Sequence, residues 1–183
     1  MDQIVEYLFR NSKSMEAEMN RTNMTTRGMM CAAVLAVTVS AASLLATPSF
    51  GTSQTILAHA VYTDIEAHAN RLPEWGAFLK VKGVSDVFVN SNTAIPDGYT
   101  GWHSHPGLSI VSVTQGAVSL YDADDPTCTP TVVTAGYGFI EPGDHVHNLR
   151  NEGLVDAKWT TTAIRPAGSA GRIDQPNPGN CPF

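Results

Sequence analysis

The feature that most constrains the fold is a series of short strand-like segments between residues 79 and 166. VSDVFVN (84–90) is rich in β-branched and aromatic residues, and LSIVSVTQGAVSLYD (108–122) predicts two strands joined at Gln115-Gly116, where glycine supplies a hairpin's positive φ. Further short strands are predicted within 130–166, separated by Gly and Pro turns, with no convincing helix. This pattern predicts an all-β sandwich or barrel. The Cys–Trp–Cys spacing of an immunoglobulin-like sandwich is missing.

The segments on either side of this region have a different texture. Residues 52–78 are predicted to form an N-terminal arm, because the pattern from Ile56 to Phe78 is loosely helical or irregular and is interrupted at Leu72-Pro73. Residues 167–183 are rich in Gly and Pro, which predicts a C-terminal tail lying over the surface. The whole chain of 183 residues is long enough for one domain with its own core, here placed at 79–166.

Residues 1–51 are predicted to be an N-terminal extension and signal peptide that the mature protein lacks. Cys31–Ala46 is an uncharged apolar run, preceded by two arginines and followed by small residues, in the order typical of a secretory signal. The run is shorter than the roughly 20 residues of a membrane span. We expect cleavage near Gly51, or else after Ala46, and a secreted or periplasmic protein; an uncleaved membrane anchor and a core helix are the alternatives.

Charge and cysteine content narrow the function further. A net charge of −6 without any cluster of Lys or Arg excludes a nucleic-acid surface and gives no support to membrane binding after cleavage. Removal of the signal also removes Cys31 and leaves Cys128 and Cys181 as an even pair. An oxidising compartment favours a disulfide between them, which would tie down the tail. The alternative is two free thiols in a cytosolic protein.

Four of the six histidines form two pairs with the spacing i, i+2. His103 and His105 lie in GWHSHPG, and His145 and His147 lie in PGDHVHN. Residues with this spacing on a strand point to the same side, so each pair is placed to meet one ion. Neutral imidazole is the commonest protein ligand of transition metals, and a small barrel can enclose such a site. The alternative is that the barrel binds no metal.

The first histidine pair and its surroundings resemble the first motif of the cupin family, a small β-barrel also called a double-stranded β-helix or jelly roll. That motif has a glycine, His-x-His, an acid and a second glycine. Gly98, His103, His105 and Gly116 match it, but Ser109 stands at the position of the acid.

The second histidine pair lies in a segment that resembles the second cupin motif, Gly-x5-Pro-x-Gly-x2-His-x3-Asn. The matching residues are Gly136, Pro142, His147 and Asn151. Asp144 stands where the second glycine is expected. Together the two motifs cover most of the predicted barrel.

The resemblance implies a site in which His103, His105 and His147 bind a metal and the usual glutamate is missing. His145 is a candidate fourth ligand in place of the acid, provided that its strand is regular. Otherwise it is an acid/base group above the ion or part of the rim turn. Glu141 is a weaker candidate for the same role, and we treat His145 and Glu141 as candidate catalytic groups.

The expected ligands also limit the metal and the chemistry. Imidazole nitrogens suit Fe, Zn, Cu or Ni, and the missing carboxylate makes Mn less favoured. Three protein ligands leave open positions on the ion, as in catalytic sites. The resemblance implies dioxygenase, lyase or isomerase chemistry on a small organic molecule, and a homodimer formed through edge strands. The alternatives are a non-catalytic barrel that binds metal or a small ligand, and a purely structural barrel.

Overall fold

The computed structural model describes residues 46–183, apart from the side chains of residues 70–72. Within this range the chain consists of strands, turns and bends, and it has no helix that could cross a membrane. Residues 1–45 of the predicted extension and signal peptide (1–51) lie outside the described residues. Residues 46–51 are described: Ala46 forms a β-bridge with Pro176, and β1 begins at Phe50.

Twelve strands follow one another along this part of the chain. In order they are β1 (Phe50–Tyr62), β2 (Ile65–Leu72), β3 (Trp75–Val81), β4 (Ser85–Tyr99), β5 (His103–Ser104), β6 (Leu108–Gln115), β7 (Ala117–Asp122), β8 (Thr131–Thr134), β9 (Gly138–Glu141), β10 (His147–Arg150), β11 (Ala157–Pro166) and β12 (Ile173–Asp174).

Ten of these strands form one antiparallel sheet that curls into a nearly closed barrel. Its main path runs β12-β5-β10-β4-β11-β6-β9, with β1 added on β4, β7 on β10, and β8 on β7. Strands β6 and β7 join at Gly116, whose φ of 67° is positive, as predicted. The predicted hairpin is wrong, however, because the two strands do not pair: β6 lies between β11 and β9, and β7 lies between β10 and β8. The predicted all-β barrel is nevertheless confirmed.

The prediction of a loosely helical or irregular segment between Ile56 and Phe78 is wrong. Strand β1 runs antiparallel along β4, from Phe50 opposite Tyr99 to Tyr62 opposite Ser85. Strands β2 and β3 form a separate hairpin. Its turn contains Pro73. Proline interrupts a helix, but its fixed φ also suits a turn. The arm therefore contributes a full strand to the barrel sheet.

The core consists of two apolar clusters. Trp159 belongs to the larger one, which fills one end of the barrel, and Trp102 and Tyr121 belong to the smaller one, which lies under the C-terminal tail. Trp102 is 1% exposed, so it serves packing. The larger cluster comprises Ala94, Val111, Val113, Val118, Val133, Leu149, Ala157 and Trp159.

The C-terminal tail is fixed to the barrel by a covalent bond and by pairing. The predicted disulfide is present between Cys128 and Cys181, which are 53 residues apart in the sequence. Upstream of Cys181, β12 pairs with β5, and it places Asp174 opposite His103. The tail thus reaches the strand that carries the first histidine pair.

Asn151 joins the end of β10 to β4 and to the turn that follows it. Its side chain is 1% exposed, donates to the carbonyls of Ala94 (2.9 Å) and Val155 (2.8 Å), and accepts from the N–H of Gly153 (3.0 Å). Since Asn151→Ala leaves one buried and two partly buried main-chain groups without this partner, we expect the free energy of unfolding to fall by about 2–3 kcal/mol in urea denaturation.

Asn177 provides the matched control for this substitution. Its side chain also donates to a carbonyl, that of Phe183, and accepts from an N–H, that of Gly179, but it is exposed. Asn177→Ala should therefore cost less than about 1 kcal/mol. Equal losses in the two variants would contradict the role given to burial.

Candidate metal centre

Three of the predicted ligands lie together in the barrel. His147, the first residue of β10, is the direct cross-strand partner of His103, the first residue of β5. His105 lies two residues further on, and the ring centroids are 4.5–5.2 Å apart. One ring nitrogen of each histidine lies within 4.8 Å of those of the other two. This spacing allows all three rings to reach a single ion.

The main chain fixes the orientation of all three rings. Each Nδ1 lies within 3.0 Å of a carbonyl oxygen, which can only accept a hydrogen bond, so each Nδ1 carries the proton. The opposite nitrogen, Nε2, then presents a lone pair, as metal-binding histidines supported in this way do. For His103, His105 and His147 the acceptors are, in that order, the carbonyls of Gly101, Gly171 and His145.

A carboxylate faces these nitrogens. Glu141, at the end of β9, is 5% exposed; its Oε2 lies 3.4 Å from Nε2 of His105, and its Oε1 lies 3.3 Å from Nε2 of His147. Strand β9 pairs with β6 so that Glu141 is directly opposite Ser109, the residue at the acid position of the motif. The side chains of such partners lie on the same face of a sheet. The neighbouring strand therefore supplies the acid that the motif lacks.

The atoms that converge here need a cation between them. Three Nε2 lone pairs and two carboxylate oxygens are all acceptors, so they repel one another unless a proton or a metal ion joins them. Nε2 of His147 is buried without a hydrogen-bond partner. Three imidazoles with one carboxylate are donors that suit a divalent transition metal. The residues present thus fit the ion that the sequence predicts.

Burial and the neighbouring charges set the protonation of the centre. Burial lowers the pKa of His103 to about 2, so its ring stays neutral at physiological pH. Burial also acts to lower the pKa of His105, but the hydrogen bond and charge of Glu141 outweigh it and raise that pKa. For Glu141, burial alone would raise the pKa, yet the facing rings of His105 and His147 hold it below its usual range.

The similarity of the chain to known proteins agrees with this geometry. Residues 93–163 match the family model of the cupin domain, a range that contains all four residues of the centre. This part of the chain is a cupin domain. No curated protein matches the chain.

Several solved structures resemble parts of this cupin. An uncharacterized conserved protein with a double-stranded β-helix domain from Klebsiella pneumoniae is 22% identical; the match covers 49% of this chain and 74% of that one, with a TM-score of 0.42. The polyketide cyclase RemF from Streptomyces resistomycificus is 17% identical over 46% and 62%, with a TM-score of 0.39. An oxalate oxidase in complex with the substrate analogue glycolate is 22% identical over 48% and 45%, with a TM-score of 0.41, so the cupin spans less than half of that enzyme.

His145 does not join the three histidines of the cupin centre. It would share a face with His147 only on a regular strand, but β10 begins at His147, and Asp144 has a φ of 61°. That left-handed conformation explains why the motif has glycine at this position, and aspartate is one of the few residues that tolerate it. Nε2 of His145 instead lies 3.2 Å from Oδ1 of Asp122, in a separate and more exposed group with Asp124.

The cupin centre opens into a cavity of about 540 Å³ whose wall is mostly polar. One hydrogen-bonded chain runs along its wall: Nε2 of Gln54 donates to Oδ1 of Asn92 (2.9 Å), and Nδ2 of Asn92 donates to Oγ1 of Thr161 (3.1 Å). Sequence reasoning missed these residues. The available signal was the occurrence of amides and hydroxyls at alternate positions of β4 and β11, where a filled core would have apolar residues.

Proposed function

We propose that this cupin holds one divalent transition metal through His103, His105, His147 and Glu141. The site is supported most directly by three oriented Nε2 atoms that converge on a buried carboxylate. In the metal-free state, these nitrogens and carboxylate oxygens have no hydrogen-bond donor between them other than a shared proton. A structural histidine cluster would instead place donors opposite acceptors, since buried polar groups are normally paired.

The carboxylate also changes which metals we propose. The sequence disfavours Mn because Ser109 replaces the acid of the motif, but Glu141 returns one oxygen ligand to the site. Oxygen donors suit harder ions than imidazole alone does. We therefore propose Mn alongside Fe, Zn, Cu and Ni.

We further propose that the cupin acts on a small organic molecule in the adjacent cavity, by dioxygenase, lyase or isomerase chemistry. A metal bound at the centre would supply Lewis acidity and polarise an oxygen atom of the substrate. Glu141 is the group that can accept or return a proton, because it is the only carboxylate among the described residues of the cavity wall. The remaining wall orients the substrate through amides and hydroxyls. His145 is not part of this wall.

We also propose that the protein is exported to the periplasm or secreted. The disulfide between Cys128 and Cys181 supports this proposal, because structural disulfides persist in oxidising compartments and are rare in the cytosol.

Metal analysis tests the proposed centre. We expect the purified protein to contain about one transition metal ion per chain, because four oriented ligands bind such ions tightly. Inductively coupled plasma mass spectrometry measures this content. His103→Ala is expected to retain less than about a tenth of that amount. His68→Ala, which changes an exposed histidine of the β2–β3 hairpin, serves as the control. A metal-free protein after loading, or equal metal in both variants, would contradict the proposal.

A further inference from the structure

The charged residues of the cavity are not balanced. Apart from the histidines, its wall contains one acid, Glu141, and two arginines, Arg165 at the end of β11 and Arg172 just before β12. Glu141 already faces His105 and His147, so it does not neutralise the arginines. With a divalent ion at the centre, the cavity would carry a clear excess of positive charge.

Arg165 has a guanidinium that no acid in the described part of the chain pairs with. Its Cζ lies 4.2 Å from the centroid of the Phe88 ring, and its Nε is buried without a hydrogen-bond partner. Asp86 is its cross-strand partner, but the two oxygens of Asp86 accept from His59 (2.8 Å) and from the N–H of Gly168 (2.8 Å). The guanidinium is thus held by stacking and keeps donors free.

Arg172 is the second arginine of the cavity wall. Its Nε pairs with Asp174, while its Nη2 is buried without a partner. The residue before it, Gly171, accepts from Nδ1 of His105 at 2.7 Å and approaches Nη1 of Arg165 so closely that a Cβ there would clash. Both guanidinium groups therefore adjoin the main-chain segment that orients a metal ligand.

We propose that Arg165 and Arg172 form an anion subsite beside the metal centre, and that the ligand of this cupin is a small polar organic acid whose carboxylate they bind. Guanidinium groups match a carboxylate in geometry and charge, and buried N–H donors without partners are costly until a ligand oxygen accepts from them. The amides and hydroxyls of the Gln54–Asn92–Thr161 chain face the rest of the molecule. The inference rests on the proposed function only in placing a metal next to this subsite.

Lactate and 1,2-propanediol are a matched pair of probes, because they differ mainly by the carboxylate. On the zinc-loaded full chain we expect ligand-observed NMR titration to give a dissociation constant for lactate at least about tenfold below that for the diol. Arg165→Gln and Arg172→Gln should each raise the constant for lactate at least about tenfold and leave that for the diol unchanged. Lys158→Gln removes the same charge from the exposed face of β11 and should change neither constant.

The metal content of every variant separates this inference from the proposed function. If the wild type takes up no zinc but still binds lactate in a manner that needs both arginines, the metal centre fails and the anion subsite stands. If zinc binds fully and lactate affinity is the same in the Arg165→Gln, Arg172→Gln double variant as in the wild type, the anion subsite is refuted. Arg172→Gln alone decides the matter if Arg165→Gln does not fold, because Arg172 lies in the tail outside the barrel strands.

Discussion

Removing the acid at position 141 is expected to weaken metal binding, and adding an acid at position 109 is expected to restore it. Glu141→Ser removes the one anionic ligand from the centre, and we expect the affinity for zinc to fall at least about a hundredfold. Ser109→Glu added to that variant returns a carboxylate from the direct cross-strand partner, on the same face of the sheet. The volume that Glu141 vacates accommodates the new side chain. Affinity is expected to recover to within about tenfold of the wild-type value.

Competition with a chromogenic zinc chelator measures these affinities. Ser112→Glu combined with Glu141→Ser is the matched control, because Ser112 lies on the same strand but is exposed on the outer face of the barrel. That control should stay as weak as Glu141→Ser alone. If Ser112→Glu restores the zinc affinity as well as Ser109→Glu does, or if Glu141→Ser loses no zinc affinity, Glu141 is not a ligand.

Removing the disulfide is expected to have the largest effect on stability. The bond between Cys128 and Cys181 closes a loop of 53 residues, so the chain-entropy relation gives about 4 kcal/mol for its loss. The Cys128→Ser, Cys181→Ser double variant should show this decrease in the free energy of unfolding, measured by urea denaturation of the metal-free protein. The tail should also become sensitive to proteases, because the disulfide is the cross-link that holds its C-terminal end against the barrel.

Reductant provides the control for the disulfide. The wild type treated with dithiothreitol should become as unstable as the double variant, whereas the double variant itself should not respond. A decrease below about 1 kcal/mol would mean that the tail packs equally well without the bond, and it would contradict this prediction.

Much of the fold and part of the site could be predicted because they depend on local spacing. Alternation with period two predicts the strands of the barrel, and the i, i+2 spacing places His103 and His105 on one side of the chain. By contrast, the pairing of Ser109 with Glu141 depends on the register between β6 and β9, which no local pattern encodes. The sequence therefore indicates that an acid is missing but not where its replacement lies.

Two other differences have equally specific causes. Strand β1 is exposed at nearly every position, so its side chains show no alternation, and its segment was predicted to be loosely helical or irregular. His145 was placed beside His147 by assuming a regular strand, whereas the left-handed backbone at Asp144 turns the chain just before β10. Arg165 and Arg172 could not be predicted as a pair, because they come together at Gly171, in a tail that pairs with β5.

The hydrogen bond between Nδ1 of His105 and the carbonyl of Gly171 links the proposed metal centre to the disulfide. Gly171 belongs to the tail that Cys181 fastens, so a chain with free thiols lacks the covalent constraint that keeps this carbonyl in place. The His105 ring is then free to change tautomer and rotate away from the centre. We therefore expect the oxidised protein to hold the proposed metal more tightly than the reduced protein does.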